Sequence, residues 1–476
     1  MSVPENGLRV AVVGGGWAGC AAAVELDRRG ARVTLFEAAR SLGGRARGVA
    51  VRGAMLDNGQ HILLGAYRDT LRLMRAVGVD PERAFLRLPV QMRYPAGGDG
   101  MDFAAPRLPA PLHLIVALLR ARGLAREDKL ALGRFSTAAR WMGWQLYKDC
   151  TVEELLLRFD QTERLRRLLW RPLCIAALNT PPERASAQVF LAVLRDSLGA
   201  KKRAASDMLV PRLPMGALFP EAAAAHLARR GAAVRSGVKV AALASAGPDG
   251  WRLALNGQAA GGEAVETFDA VVLATPAPVT AALLAPHPEA GELAQQLSAF
   301  THEPIATCYL QYAPGTRLDL PFYALEDDPA SGRWGQFAFD RAQLDPAQDG
   351  LLAVVVSAAL DAAALPQDAL AAAIAAQLAQ DFRRPELGAP AWTQVITEKR
   401  ATFTCSPSLE RPGNTTPLPG LVLAGDYTAS DYPATLETAV RSGLAAATAI
   451  RAYGALPREK RSLSHSHGTQ GPTSVR

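Results

Sequence analysis

Three glycines stand at Gly14-x-Gly16-x-x-Gly19, between an apolar β-branched run (residues 8–13) and a helical pattern (residues 17–29). That spacing suits phosphate chemistry. Gly14 permits a tight turn, with Gly15 inside it. Gly16 lets the backbone approach a pyrophosphate, and Gly19 lets the helix pack closely on the strand. The helix N-terminus offers unpaired N–H groups and a positive dipole end to an anion. Gly30 stops the helix, and residues 31–36 read as a second strand. Glu37 ends that strand where a carboxylate would take both hydroxyls of a ribose. The pattern predicts a β-α-β unit of about thirty residues and a dinucleotide ligand. A carboxylate at Glu37 disfavours a 2′-phosphate and so NADP, but does not separate NAD from FAD.

Other segments add to this. EAARSLGGRAR runs from Glu37 through Ala38 to Gly43-Gly44-Arg45. Paired glycines admit a close ligand, and an arginine can neutralise phosphate bidentately. Near the other end, the apolar run 421–424 leads into Gly425-Asp426, and small residues Ala434 and Thr435 open the last helical pattern, 434–452. Taken alone, Asp426 is equally an N-cap or turn aspartate. Asp57-Asn58-Gly59-Gln60-His61 places a carboxyl near an imidazole. Histidine titrates near neutrality, so His61 is a candidate acid; the plainer role is a hydrogen bond to backbone without proton transfer. Asp57 is either catalytic or structural.

The Gly43-Gly44-Arg45 extension resembles the flavoprotein family of amine oxidases and carotenoid desaturases. The resemblance implies FAD, with these residues over its pyrophosphate and flavin. It implies Asp426 against the ribityl or pyrophosphate portion, and the N-terminus of the last helix aimed at the flavin N1–C2=O edge. GVKV, at Val238, is similar to the strand whose valine backbone pairs with adenine in that family. Asp57 to His61, with Gly59, is similar to the segment beside the flavin. The segments RPLCIAALNTPPERASAQVF, ASDMLVPRLPMGALFPEAAAAHLARRGAAV and LVLAGDYTASDYPATLETAVRSG narrow the match. By them the chain is identified as a member of the squalene-associated FAD-dependent desaturases, the hydroxysqualene dehydroxylase family of bacterial hopanoid pathways. The resemblance runs from residue 8 to about 452. It implies reduction of hydroxysqualene to squalene with loss of water. Cys405, in TFTCSP, does not match the motif of covalently flavinylated amine oxidases, so the FAD is expected to be noncovalent. The implied partners are a long-chain isoprenoid substrate, a peripheral membrane surface and the upstream squalene-pathway synthases. Rival readings are a phytoene-type desaturase, a flavin amine oxidase, and a lipid-binding escort protein on the same fold.

The chain as a whole is consistent with this. It has 476 residues, 49% hydrophobic and 20% charged, which excludes a disordered polymer. Its formal charge is +7, without a nucleic-acid-binding motif, so no nucleic acid is expected. Five scattered cysteines with no C-x-x-C argue against a disulfide framework, and no metal site is expected. MSVPENG has no basic n-region and reads as no signal peptide, and no apolar run is long enough to span a bilayer. A cytoplasmic protein on the inner face of the inner membrane is expected. The run LPAPLHLIVALL, followed by Arg120, Arg122 and Arg126, suits a helix lying in a membrane interface, or equally a core helix with an arginine-rich exit. Trp141, Met142 and Trp144 would line a tunnel or fill the core.

The expected fold class is α/β. A Rossmann-like FAD-binding domain is assembled from residues 1–107, 215–290 and 415–460. A substrate domain with a mixed sheet and helices takes 108–214 and 291–414. Residues 461–476 read as a disordered tail.

Overall fold

Short strands that are apolar at every position bury both faces, as the inner strands of a parallel sheet do. The computed structural model describes residues 7–96, 98–257 and 264–455. Five strands pair parallel, in the order Ala233–Ser236, Arg32–Glu37, Arg9–Val13, Ala270–Leu273 and Leu421–Leu423. Val10, Ala11 and Val12 in the central strand are fully buried. The strands come from three distant stretches of chain. Their C-terminal ends therefore gather the Gly14 turn, Glu37 and the Gly425-Asp426 turn at one edge, where open α/β sheets bind ligands.

Two helices lie against each other beside this sheet. Trp17–Arg28 follows the glycine turn, and Leu436–Gly454 follows the last strand. Small residues let them approach: Ala18, Ala21, Ala22, Ala446 and Ala447 are all buried. A Cβ on Gly443 would stand 2.3 Å from the Ala18 carbonyl oxygen, so nothing larger than glycine fits there.

The residues 233–243 suggest one continuous strand, but there are two. Gly237 has φ +73° and breaks the run. Ser236 still pairs with Glu37, after which Lys239–Ser245 enters a separate antiparallel sheet with Trp251–Asn256 and Ala264–Phe268. The Gly237 and Val238 N–H groups donate to the carbonyls of Ala39 and Glu37, which holds the break against the C-terminal end of Arg32–Glu37.

The second large sheet has the order Phe322–Ala324, Phe337–Asp340, Leu351–Val356, His302–Gln311 and Trp392–Phe403. It differs from the expected mixed sheet in one respect: every pair is antiparallel. No β-α-β crossover joins neighbouring strands here, and antiparallel pairing needs none. Helices supply the stretch between residues 108 and 215, among them Leu112–Arg120, Arg126–Trp141, Val152–Arg158 and Ala187–Ser197. Thr151 and Glu154 cap one of them reciprocally, each side chain accepting the other's backbone N–H at 3.1 Å. Trp141 is 87% exposed at the end of its helix, so it belongs neither to a core nor to a tunnel wall. The tail 461–476 lies outside the described residues.

Candidate functional site

The glycine turn after Arg9–Val13 has the geometry its spacing calls for. Gly14 has φ +111°, a region that side chains avoid. A Cβ on Gly19 would stand 1.9 Å from the Gly14 carbonyl oxygen, so this glycine fixes helix-to-turn packing. Gly16 is different. A Cβ there would meet no protein atom nearer than the Gly44 Cα, at 3.9 Å. Gly43 and Gly44 cross over it, with the Gly43 N–H donating to the Gly15 carbonyl at 2.9 Å. Gly16 is the N-cap of Trp17–Arg28, no side chain caps that helix end, and its first turn has no acidic residue. The result is an open slot between two glycine turns, facing unpaired N–H groups. It fits a pyrophosphate.

Glu37 is fixed beside the slot. Its carboxylate accepts the Gly15 and Ala39 N–H groups, each at 2.7 Å. A carboxylate has about four acceptor positions, so room remains for a diol. Ala38 lies exposed between these bonded residues. Val238 is buried against them, and its N–H is taken by the Glu37 carbonyl at 3.0 Å. That narrows the expected adenine pairing at Val238, since this N–H is not free to pair.

At the far end of the slot, segments distant in sequence meet. Arg45 Nη2 donates to Asp426 Oδ1 at 2.6 Å, and Nη1 to the Ala401 carbonyl at 2.9 Å. Arg45 and Asp426 were each expected to face the cofactor; they also face each other. The Gly425 N–H donates to Ser442 Oγ, which seats the turn on the last helix. Thr435 is the N-cap of that helix, its hydroxyl accepting the Thr438 N–H at 3.1 Å, and Ala434 lies half-buried beside it. Glu437, in the first turn, accepts the N–H groups of Asp69 and Thr70 and so ties this helix to the next segment.

That segment reaches the site through a hairpin, Gly48–Val51 and Ala54–Asp57, which the sequence pattern does not announce. Asp57 is 2% exposed. Its carboxylate accepts the Met215 N–H at 2.9 Å, and its carbonyl accepts the Tyr309 hydroxyl at 2.8 Å. Burial pushes its carboxyl above the ordinary range. These contacts give Asp57 a structural role. His61 Nδ1 lies 2.7 Å from the Gly59 carbonyl oxygen. A carbonyl only accepts, so Nδ1 carries the proton and donates. Burial holds this imidazole below its ordinary value, against the opposing pull of the Asp57 carboxylate. Nε2 is therefore the ring atom that remains to meet a hydroxyl. Arg341 is 3% exposed and donates to Gln60 Oε1 at 2.8 Å. Arg341, Tyr309 and Glu437 carry no local sequence signal, because each is brought to the site by tertiary pairing alone.

Comparison with known proteins follows the same outline. The family model described as flavin containing amine oxidoreductase matches residues 17–451. A hydroxysqualene dehydroxylase of Rhodopseudomonas palustris is 32% identical over 460 residues, covering 94% of this chain and 99% of that protein. A 15-cis-phytoene desaturase of Narcissus pseudonarcissus is 24% identical, covering 97% of this chain and 82% of that one. Among solved structures, the cyclohexylamine oxidase of Brevibacterium oxydans superimposes with a TM-score of 0.65 at 18% identity, over 93% of this chain and 98% of that one.

Proposed function

The chain belongs to the flavin containing amine oxidoreductase family, and within it we propose an FAD-dependent reductive dehydroxylase acting on hydroxysqualene. It is an oxidoreductase, and its cofactor is a flavin. One observation carries the substrate reading: the 32% identity to a hydroxysqualene dehydroxylase extends over 94% of this chain and nearly all of that protein. The intact slot at Gly16 and Gly44 supports a flavin-loaded enzyme over an escort protein.

The reaction replaces the C–OH bond of an allylic alcohol with C–H, consuming one hydride and one proton and releasing water. When bound and reduced, FAD supplies the hydride. The chain's residues do the rest. Gly16, Gly44 and the N-terminus of Trp17–Arg28 hold the pyrophosphate, and Glu37 holds the ribose. Arg45, Asp426 and Thr435 hold the flavin end. Hydroxide leaves as water on taking up one proton from solvent, and His61 orients the hydroxyl through Nε2. Noncovalent FAD is favoured by Cys405, which is 2% exposed and whose thiol burial pushes up to about 12, so no thiolate is available.

A single anaerobic turnover tests this. The purified enzyme is photoreduced, hydroxysqualene is added in detergent, and flavin absorbance and extracted lipid are followed together. Flavin reoxidation in step with squalene is the expected result. Flavin that stays reduced over unchanged lipid would refute the substrate assignment and move it toward phytoene-type desaturation.

A membrane surface is part of the proposal. Among the described residues no helix is long and apolar enough to cross a bilayer. Leu112–Arg120 instead presents Leu112, Ile115 and Leu119 to solvent on one face, while His113 and Ala117 are buried. Arg120, Arg122 and Arg126 follow, and Lys129 Nζ donates to the Leu119 carbonyl at the end of that helix. An apolar face ringed by cations fits an anionic leaflet, which favours the interfacial reading over a core helix and the cytoplasmic face as its location. Ile115→Asp with Leu119→Asp should cut co-sedimentation with phosphatidylglycerol vesicles by about tenfold, roughly 1.4 kcal/mol. Undiminished binding would remove this helix as the anchor.

A further inference from the structure

Arg411 lies in the loop between Trp392–Phe403 and Leu421–Leu423, and nothing above uses it. Its Nε donates to the Thr428 carbonyl at 2.9 Å, its Nη2 to the same oxygen at 2.5 Å, and its Nη1 to the Tyr432 carbonyl at 2.6 Å. Its guanidinium stacks over Phe403, 5.1 Å from the ring centre. Among the described residues no carboxylate pairs with it within 4.0 Å. It is a half-buried cation held by carbonyls.

The two carbonyls bracket the turn 428–432, and that turn joins Asp426 to Ala434 and Thr435. The turn is pinned on its other side as well. Tyr432 bonds through its hydroxyl to Asp196 and Arg195, and Arg441 stacks on its ring at 4.9 Å. A turn clamped at both ends fixes Asp426 relative to the N-terminus of Leu436–Gly454. Those two groups must address one cofactor at once. A five-residue turn without the clamp would sample other conformations, which binding would have to select against.

We propose that Arg411 is a positioning residue for the flavin, fixing the turn that presents Asp426 and Thr435 and adding a positive charge at that end. The charge acts with the helix dipole. Together they favour the extra negative charge that reduction brings to a flavin, and so raise its potential. The inference rests on the flavin reading above and extends it to a residue with no motif.

The experiment compares the flavin-loaded wild type with Arg411→Gln and Arg411→Lys. FAD affinity and the two-electron potential of the bound flavin are both measured. The Gln variant should bind FAD at least tenfold more weakly. Its potential should fall by about 30 mV, which is tenfold in the reduction equilibrium. Lysine keeps the charge but cannot bridge both carbonyls with a planar fork. It should recover the potential more fully than the affinity. Arg411 also lines a cavity of about 440 Å³. A shorter side chain would leave room for water there rather than a dry void, so the Gln variant should fold. If it does not, the Lys variant alone decides: weakened affinity with the potential kept is expected, and wild-type affinity would overturn the clamp. Unchanged affinity and potential in both variants would refute the proposal. A wild type that takes up no flavin would instead refute the reading on which it rests.

Discussion

Gly16→Val should give a folded protein that holds no flavin. The reason is specific to this glycine. Its φ is −74°, ordinary for any residue, and its Cβ position faces the slot rather than protein. A valine would fill the space a pyrophosphate needs without disturbing the fold. Affinity should fall by ~10³-fold or more, about 4 kcal/mol, while unfolding of the flavin-free protein shifts by less than ~1 kcal/mol. Gly19→Ala is the control with the opposite signature. Its Cβ would lie 1.9 Å from backbone oxygen, and backbone cannot move aside cheaply. That variant should lose ~3 kcal/mol of stability, and flavin with it. Absorbance of the purified variants and urea unfolding separate the two. A flavin-loaded Gly16→Val protein would overturn the placement of the pyrophosphate.

The same contrast shows what the sequence makes legible. Gly14, Gly16, Gly19 and Glu37 lie within one β-α-β unit, where spacing along the chain fixes spacing in space. The parallel strand pairs and the glycine slot follow from that local pattern. Gly237 shows where pattern reading fails. An apolar run across it looks continuous, yet a positive φ ends one strand and starts another sheet. The antiparallel pairing of the second sheet is likewise absent from alternation alone, because strand direction depends on connections. His61 was legible as a candidate residue, but the state of its ring was not. Its protonation depends on burial and on the Gly59 carbonyl, neither of which a sequence displays. Arg411 was invisible for a stronger reason. Its partners are carbonyls, and backbone atoms carry no signature in a sequence.

Arg45 and Asp426 provide the second large effect, and its asymmetry is the informative part. Their pair at 2.6 Å joins residues from opposite ends of the chain. The carboxylate is 8% exposed and the guanidinium 35%. Removing one partner of a buried pair is costly chiefly through the charge left behind. Arg45→Ala strands the more buried charge and also leaves the Ala401 carbonyl without its donor. It should cost ~3–4 kcal/mol in the flavin-free protein. Asp426→Ala strands a guanidinium that water reaches, so after discounting for screening it should cost only ~1–2 kcal/mol. The double variant removes both charges and should lose less than the sum of the singles, with a coupling of ~1–3 kcal/mol. All three should release flavin, because the pair joins the Gly43-Gly44 turn to the Gly425-Asp426 turn. Urea unfolding of the flavin-free proteins measures the coupling. Additive losses would mean that the two side chains stabilise the fold independently. A non-additive result would mean that the pair is the strut that holds the site together before the cofactor arrives.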